Sequence, residues 1–310
     1  VIQRAINFYP NNLASVSGEH RQNYSELYRR VRSLAASMQQ RGIRKGDRVA
    51  ILMLNCHQMM EAIFACIELG AVMVPLNYRL AGEELIFIIN DAECSAMFVD
   101  DTMLPMSEAI RPRLEGIRDY ISTVPCENYI SFEAVACHHD AAYKPAEIDE
   151  HDLAGLFYTS GTTGMPKGVM LSHRNLWTNL LHTLVAIPPV EAEAYMHAAP
   201  MFHLADFPAL MSVTMFGGAH IMLKKFDPGL ILETSGIRDV EARVGRTTPA
   251  LMERAGTAIV VWRDGRSGTT RLYAQRLDAN GQPQWGVVPD GIALCDVDVP
   301  QTSQQAISDG

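Results

Sequence analysis

The stretch Tyr158-Thr159-Ser160-Gly161-Thr162-Thr163-Gly164-Met165-Pro166-Lys167-Gly168-Val169 decides how the rest of the chain is read. Glycines and hydroxyl side chains crowd one turn that ends in a single lysine. Gly161, Gly164 and Gly168 permit close backbone approach and positive φ, so successive N–H groups can converge on an anion. Ser160, Thr162 and Thr163 add hydroxyl donors, and Lys167 adds a mobile point charge suited to polyphosphate. The flanks, 153–158 and 168–171, are short apolar runs that read as one strand entering the turn and a second returning from it. We therefore expect a phosphate cradle, with Thr159, Ser160, Gly161, Thr162, Thr163, Gly164 and Lys167 as nucleotide-binding residues. A surface loop with an incidental lysine is the plainer alternative. A Walker P-loop is excluded, because Pro166 stands where that pattern needs glycine and no Ser or Thr follows Lys167.

Upstream, Asn23-Tyr24-Ser25-Glu26 has the form of a helix cap with a glutamate three residues on, and Leu27, Val31, Leu34, Ala35 and Met38 follow at helical spacing up to Gly42. Arg48 to Met53 reads as a strand, 57–69 as a helix stopped by Gly70, and 71–75 as a strand. A helix over 82–90 and a strand at 96–99 complete a β-α-β-α-β run. Such alternation predicts an α/β fold in which a largely parallel sheet is covered by helices. Residues 101–150 are less periodic. The polar cluster His138-His139-Asp140 reads as a solvated loop, and no metal site is read from the chain's own residues. Downstream, Ser172 caps a helix over 173–184, and 194–199 and 219–223 read as strands.

The turn resembles the signature loop of the adenylate-forming, AMP-binding superfamily, which includes acyl-CoA synthetases. Further pieces agree with that family in order and spacing: Tyr24-Ser25-Glu26-Leu27, Gly46 to Ala50, Leu69 to Asn77, Pro200-Met201-Phe202-His203 and Lys224 to Pro228. Up to Glu233 the chain resembles the N-terminal portion of a long-chain fatty acid–CoA ligase. The resemblance implies ATP, Mg²⁺ and CoA as cofactors and co-substrates, and a small-molecule carboxylic acid, expected to be a fatty acid, as substrate. It implies that Lys167 and the loop hold the β- and γ-phosphates, and that His203 borders the carboxylate. Lys167 and His203 are thus the implied catalytic residues. His173, His182, His197 and His220 are expected to be structural or exposed.

From Thr234 the agreement weakens, although Thr247 to Glu253 is similar to a proline-containing helix of the family. The last segment changes character. Residues 257–262 and 270–277 read as strands, with Asp264-Gly265, Asp278 to Gly281 and Asp290-Gly291 as hairpin turns. It resembles a β-rich repeat of secreted bacterial proteins, and one such unit would have to lean on the preceding domain. The expected division is an α/β subdomain over 1–150, a second carrying the loop over 151–256, and a β-hairpin tail over 257–310. Nothing here resembles the family's adenine turn, its acidic magnesium ligand, its ribose-binding aspartate or its C-terminal lid lysine. The chain is therefore expected to be truncated and inactive alone. A non-catalytic nucleotide- or partner-binding fragment, or a fusion with a secreted β-repeat protein, are the alternatives.

Bulk properties bound these readings. A chain of 310 residues with 48% hydrophobic residues can bury real cores, and a formal charge of −9 without a basic cluster argues against a nucleic-acid partner. Six cysteines without a CxxC pair suggest reduced core thiols, Cys56 and Cys66 among them, and a cytoplasmic protein. No membrane span is expected. Peripheral membrane contact stays open, and oligomeric state is not legible.

Overall fold

The structure is a computed structural model that describes residues 1–137, 143–159, 165–186 and 194–224, and the backbone of strands at 251–254, 257–264, 271–277 and 292–293. Helix α1 (Ile2–Phe8) and the hairpin of β1 (Leu13–Ser17) and β2 (His20–Asn23) lead into α2 (Tyr24–Gln40). The predicted alternation follows as β3 (Arg48–Leu52), α3 (His57–Leu69), β4 (Val72–Pro75), α4 (Gly82–Asp91) and β5 (Cys94–Val99). Next come α5 (Leu104–Ile110), a 3-10 turn (Arg111–Arg113), β6 (Asp119–Ser122), β7 (Ile130–Ser131) and α6 (Phe132–Ala136). The hairpin of β8 (Leu153–Thr159) and β9 (Lys167–Ser172) precedes α7 (His173–Ala186), β10 (Ala194–His197), α8 (Phe207–Met215) and β11 (Ala219–Met222). The last strands are β12 (Leu251–Arg254), β13 (Thr257–Asp264), β14 (Arg271–Leu277) and β15 (Ile292–Ala293).

Two sheets result. The seven-stranded sheet has the order β7-β6-β5-β3-β4-β8-β9, and the eight-stranded sheet the order β15-β14-β13-β12-β10-β11-β1-β2. The first is parallel except for β9, which returns antiparallel to β8. In the second, β10, β11 and β1 are parallel, while β12 to β15 add antiparallel ladders. Each sheet draws strands from both sides of residue 150. The tail strands extend the eight-stranded sheet through β12.

Successive residues of a strand point to opposite faces, and both faces of the seven-stranded sheet are covered. Val49 and Ile51 therefore enter one core with α2, α3 and α6, while Ala50 and Leu52 enter another with α4. Strands buried on both sides must be apolar throughout, which is why 48–53 reads as a continuous run rather than an alternation. Asn23 caps α2 in a reciprocal box with Glu26, and Gly70 ends α3 at φ 72°, where a side chain would be strained. Cys56, Cys66 and Cys94 are free and buried, and burial pushes each thiol up to about 12.

Two departures from the expectations have physical causes. Leu251–Glu253, expected within a helix, lies in strand β12, because β13 supplies a ladder partner from Leu251↔Val260 to Arg254↔Thr257 and pairing overrides a local helical pattern. The weakly periodic 101–137 region holds β6, β7, α5 and α6, elements too short to show a period. His138-His139-Asp140, Asp227-Pro228 and Ser160 to Gly164 lie outside the described residues.

Buried polar ties hold the helical layer together. Arg30 on α2 donates to Glu61 on α3 at 2.9 and 3.0 Å and to Glu133 on α6 at 2.8 and 3.1 Å. Burial pushes the Glu61 carboxyl up against the pull of Arg30. Removing one partner of such a pair leaves the other uncompensated. Arg30→Ala is expected to cost about 3–5 kcal/mol in urea unfolding, and a loss below about 1 kcal/mol would show that Glu61 is satisfied without it.

Candidate active site

The phosphate loop hangs from the β8–β9 hairpin, whose last pair is Thr159↔Lys167. Both residues are exposed, so the hydroxyl and the ammonium face outward from the two ends of the loop. Gly168 sits opposite Tyr158, and a Cβ there would lie 3.0 Å from the Tyr158 ring. The glycine thus makes room for an aromatic ring that anchors β8, and the Tyr158 hydroxyl donates to Asp91 at 2.6 Å. Strand β8 runs parallel to β4 with Met73 beside Gly155, so the loop leaves from the carboxyl end of a parallel strand. Open α/β sheets bind ligands outside that edge.

Other residues gather on the same edge. Just past β5, the buried Asp100 carboxylate accepts from the N–H groups of Leu54 at 2.7 Å and Met103 at 2.8 Å, fixing the strand exits. Asn55, past β3, donates to the carbonyls of His197 at 2.9 Å and Ala199 at 2.7 Å, and accepts from the Met201 N–H at 2.8 Å. Those partners follow β10 of the other sheet. Lys224, past β11, pairs with Asp101 at 2.8 Å, and Tyr78, past β4, meets Phe202 edge-on at 5.3 Å. The carboxyl ends of the two sheets therefore confront one another across these contacts.

His203 belongs to this junction. Its turn is closed by the His203 N–H on the Pro200 carbonyl at 3.0 Å, and its exposed ring accepts from the Ala205 N–H through Nδ1 at 3.2 Å. With Nδ1 held by backbone, Nε2 is the nitrogen left to face a ligand. Thr159 ends the parallel strand β8, Lys167 opens the antiparallel β9 at the same edge, and His203 follows the parallel strand β10 of the other sheet.

Behind the turn lies a buried relay that motif reading did not single out. His197 Nδ1 meets Asp206 at 2.5 Å, His197 Nε2 meets His220 Nδ1 at 2.8 Å, and His220 Nε2 meets the Thr214 hydroxyl at 2.9 Å. His197 and His220 are buried, in line with the structural role expected of them. Burial, reinforced by His197, pushes the His220 imidazole far below its ordinary value. Apart from this edge, a cavity of about 330 Å³ opens beneath α7, lined by Phe64, His173, Trp177, Leu180 and Phe207. None of Thr159, Lys167 and His203 lines it. Among the described residues no helix is long and apolar enough to cross a membrane.

A largely parallel sheet set against a mixed one, with a glycine- and threonine-rich segment at the carboxyl edge of the first, is an α/β architecture with a candidate ligand site at that edge. The chain matches the AMP-binding enzyme family over residues 2–278 and belongs to it. That match continues past Glu233, where motif agreement weakens. The chain is 34% identical over 223 residues to a long-chain-fatty-acid–CoA ligase of Thermus thermophilus, covering 69% of this chain and 40% of that protein. It is 35% identical over 230 residues to a feruloyl-CoA synthase of Amycolatopsis, covering 74% and 44%. Among solved structures, ATP-bound MatB of Rhodopseudomonas palustris superposes with a TM-score of 0.66 at 29% identity, covering 76% of this chain and 47% of that one. The chain thus spans less than half the length of these relatives.

Two outcomes are expected of the junction. Asn55→Ala leaves backbone groups at the exit of the eight-stranded sheet without their partner and is expected to cost about 2–3 kcal/mol in urea unfolding, whereas a near-neutral result would remove Asn55 as the tie. His220 faces His197 and Thr214, with Asp206 beyond His197. Its folded value lies below the unfolded 6.5, so the unfolded chain binds the extra proton and stability falls as pH drops below about 6.5. The slope approaches about 1.4 kcal/mol per pH unit, and His220→Gln is expected to flatten it. An unchanged slope in that variant would assign the acid sensitivity elsewhere.

Proposed function

We propose that the chain carries the polyphosphate grip and part of the carboxylate border of an ATP-dependent acid–CoA ligase acting on a fatty acid. One observation carries the reading: the β8–β9 hairpin presents Thr159 and Lys167 at the two ends of a glycine-rich loop on the carboxyl edge of a parallel sheet. The ATP named for the MatB structure and the CoA ligases among the relatives support it. In this chemistry a carboxylate oxygen attacks the α-phosphorus of ATP. The bond to the β-phosphate oxygen breaks, and pyrophosphate leaves from an acyl-adenylate. The thiol of CoA then attacks the acyl carbonyl, giving up its proton, and AMP departs.

Charge builds on the pyrophosphate as it leaves. The Lys167 ammonium and the loop donors would meet that charge, and preorganised donors at such a place are a large part of catalysis. Mg²⁺ would travel with the ATP and offset part of its negative charge. The described residues that fit this polyphosphate are the Thr159 hydroxyl and the Lys167 ammonium, both exposed where the loop begins and ends. His203 would border the carboxylate through Nε2.

The chain by itself is expected to bind Mg·ATP with little turnover. Titration with a fluorescent ATP analogue should show binding weakened about tenfold or more in Lys167→Ala, the loss of one charge-assisted contact. Unchanged affinity in that variant, or no binding at all, would overturn the phosphate role. ATP–pyrophosphate exchange with fatty acids checks the second half. Robust exchange lost in Lys167→Ala would overturn the expectation of little turnover and show that this chain activates acids alone.

A further inference from the structure

Strand β2 and the first turn of α3 bring together an acceptor-rich cluster that the proposed chemistry does not use. His20, His57 and Glu61 each offer a ligand atom, and these atoms lie within 4.8 Å of one another. His57 and Glu61 are one helical turn apart, so they share a face of α3. His20 and Gln22 alternate on β2, which puts them on one face of the strand. The two imidazoles stack at 3.7 Å with their planes 10° apart. His57 is only 8% exposed, yet its Nδ1 finds no hydrogen-bond partner among the described residues, and neither do His20 Nε2 and Gln22 Oε1.

An orphaned buried polar atom costs about 1–3 kcal/mol, so each of these calls for a partner. The orientation of Gln22 is fixed, because its amide N–H donates to Ser15 at 3.0 Å and to Glu61 at 3.0 Å. Its Oε1 therefore offers lone pairs only. Both imidazoles are left open as well, at His57 Nδ1 and His20 Nε2, and a neutral ring can carry its proton on the other nitrogen. Their free nitrogens can then present lone pairs. A bridging water has two protons to share among these acceptors, whereas a cation satisfies them all. Arg30 stands beside Glu61, but it is shared with Glu133, so two carboxylates face one guanidinium.

We propose that His20, His57 and Glu61 form a binding site for a divalent ion of the zinc class, with Gln22 Oε1 as a fourth donor. Two imidazoles and a carboxylate suit Zn²⁺, Co²⁺ or Ni²⁺ better than Mg²⁺ or Ca²⁺. The ion would staple the β1–β2 hairpin to α3, a structural role separate from the phosphate loop.

The full chain, freed of metal by chelator and dialysis, is titrated with zinc chloride in a calorimeter and with cobalt chloride in an absorbance cell. The expected result is one tight ion per chain, with the visible bands of four-coordinate cobalt and no thiolate charge-transfer band. Affinity should fall at least tenfold in His20→Gln and His57→Gln, and the zinc-induced rise in melting temperature should vanish with it. Cys126→Ser and Cys137→Ser should leave binding intact. His20 lies on a half-exposed edge strand, so His20→Gln decides the matter even if His57→Gln does not fold. Absence of tight binding, binding undiminished in His20→Gln, or binding lost with the cysteines would each overturn the site.

Discussion

A buried primary amide ties the exits of the two sheets together. Asn55 is 3% exposed and spends both amide protons and its carbonyl on the backbone that follows β10. Backbone groups leaving a parallel strand have no ladder partner, and buried ones must find another. By supplying it, Asn55 both satisfies the exit of the eight-stranded sheet and fixes its position over the exit of the seven-stranded one. The turn that carries His203 runs from Pro200, and Asn55 holds the N–H of Met201 within it. Placement of the candidate carboxylate border is therefore inherited from a residue that need not touch a ligand.

Other long-range ties repeat the pattern with different chemistry. Tyr24 is fully buried and its hydroxyl donates to the Gly218 carbonyl at 2.5 Å, connecting the start of α2 to the turn before β11. Arg30 joins three helices through two carboxylates. Apolar contact alone is non-directional and leaves layers free to slide, whereas hydrogen bonds in a buried, low-dielectric setting are specific in direction and costly to break. The cores supply the bulk of the stabilisation, and these few polar contacts set the register between layers.

This division explains what could be read from the chain. The capping box at Asn23, the helix stop at Gly70 and the hairpin around the loop are local, encoded within a few consecutive residues, and the structure shows each of them. The buried relay of His197, His220, Thr214 and Asp206 is assembled from β10, β11 and α8, so no window of sequence contains it. Asn55 bonds to backbone more than 140 residues downstream, so nothing near it in sequence signals the tie. The stacked pair His20 and His57 comes from a strand and a helix and carries no spacing signal. Strand β12 was obscured for a related reason, since its partner lies in the β-rich tail, whose different character hid the continuity of the sheet.

Charge placement gives the loop its final distinction. The chain is formally −9, and several of its cations are already engaged: Lys45 with Asp152, Lys224 with Asp101, Arg30 with its two carboxylates. Lys167 is exposed and forms no ion pair among the described residues. An ammonium with no ion-pair partner among the described residues makes a local positive region, effective over roughly a Debye length of about 8 Å at physiological salt. In the proposed role, a polyphosphate would meet this ammonium against an acidic background, so the overall acidity would favour the loop as its docking point rather than oppose it.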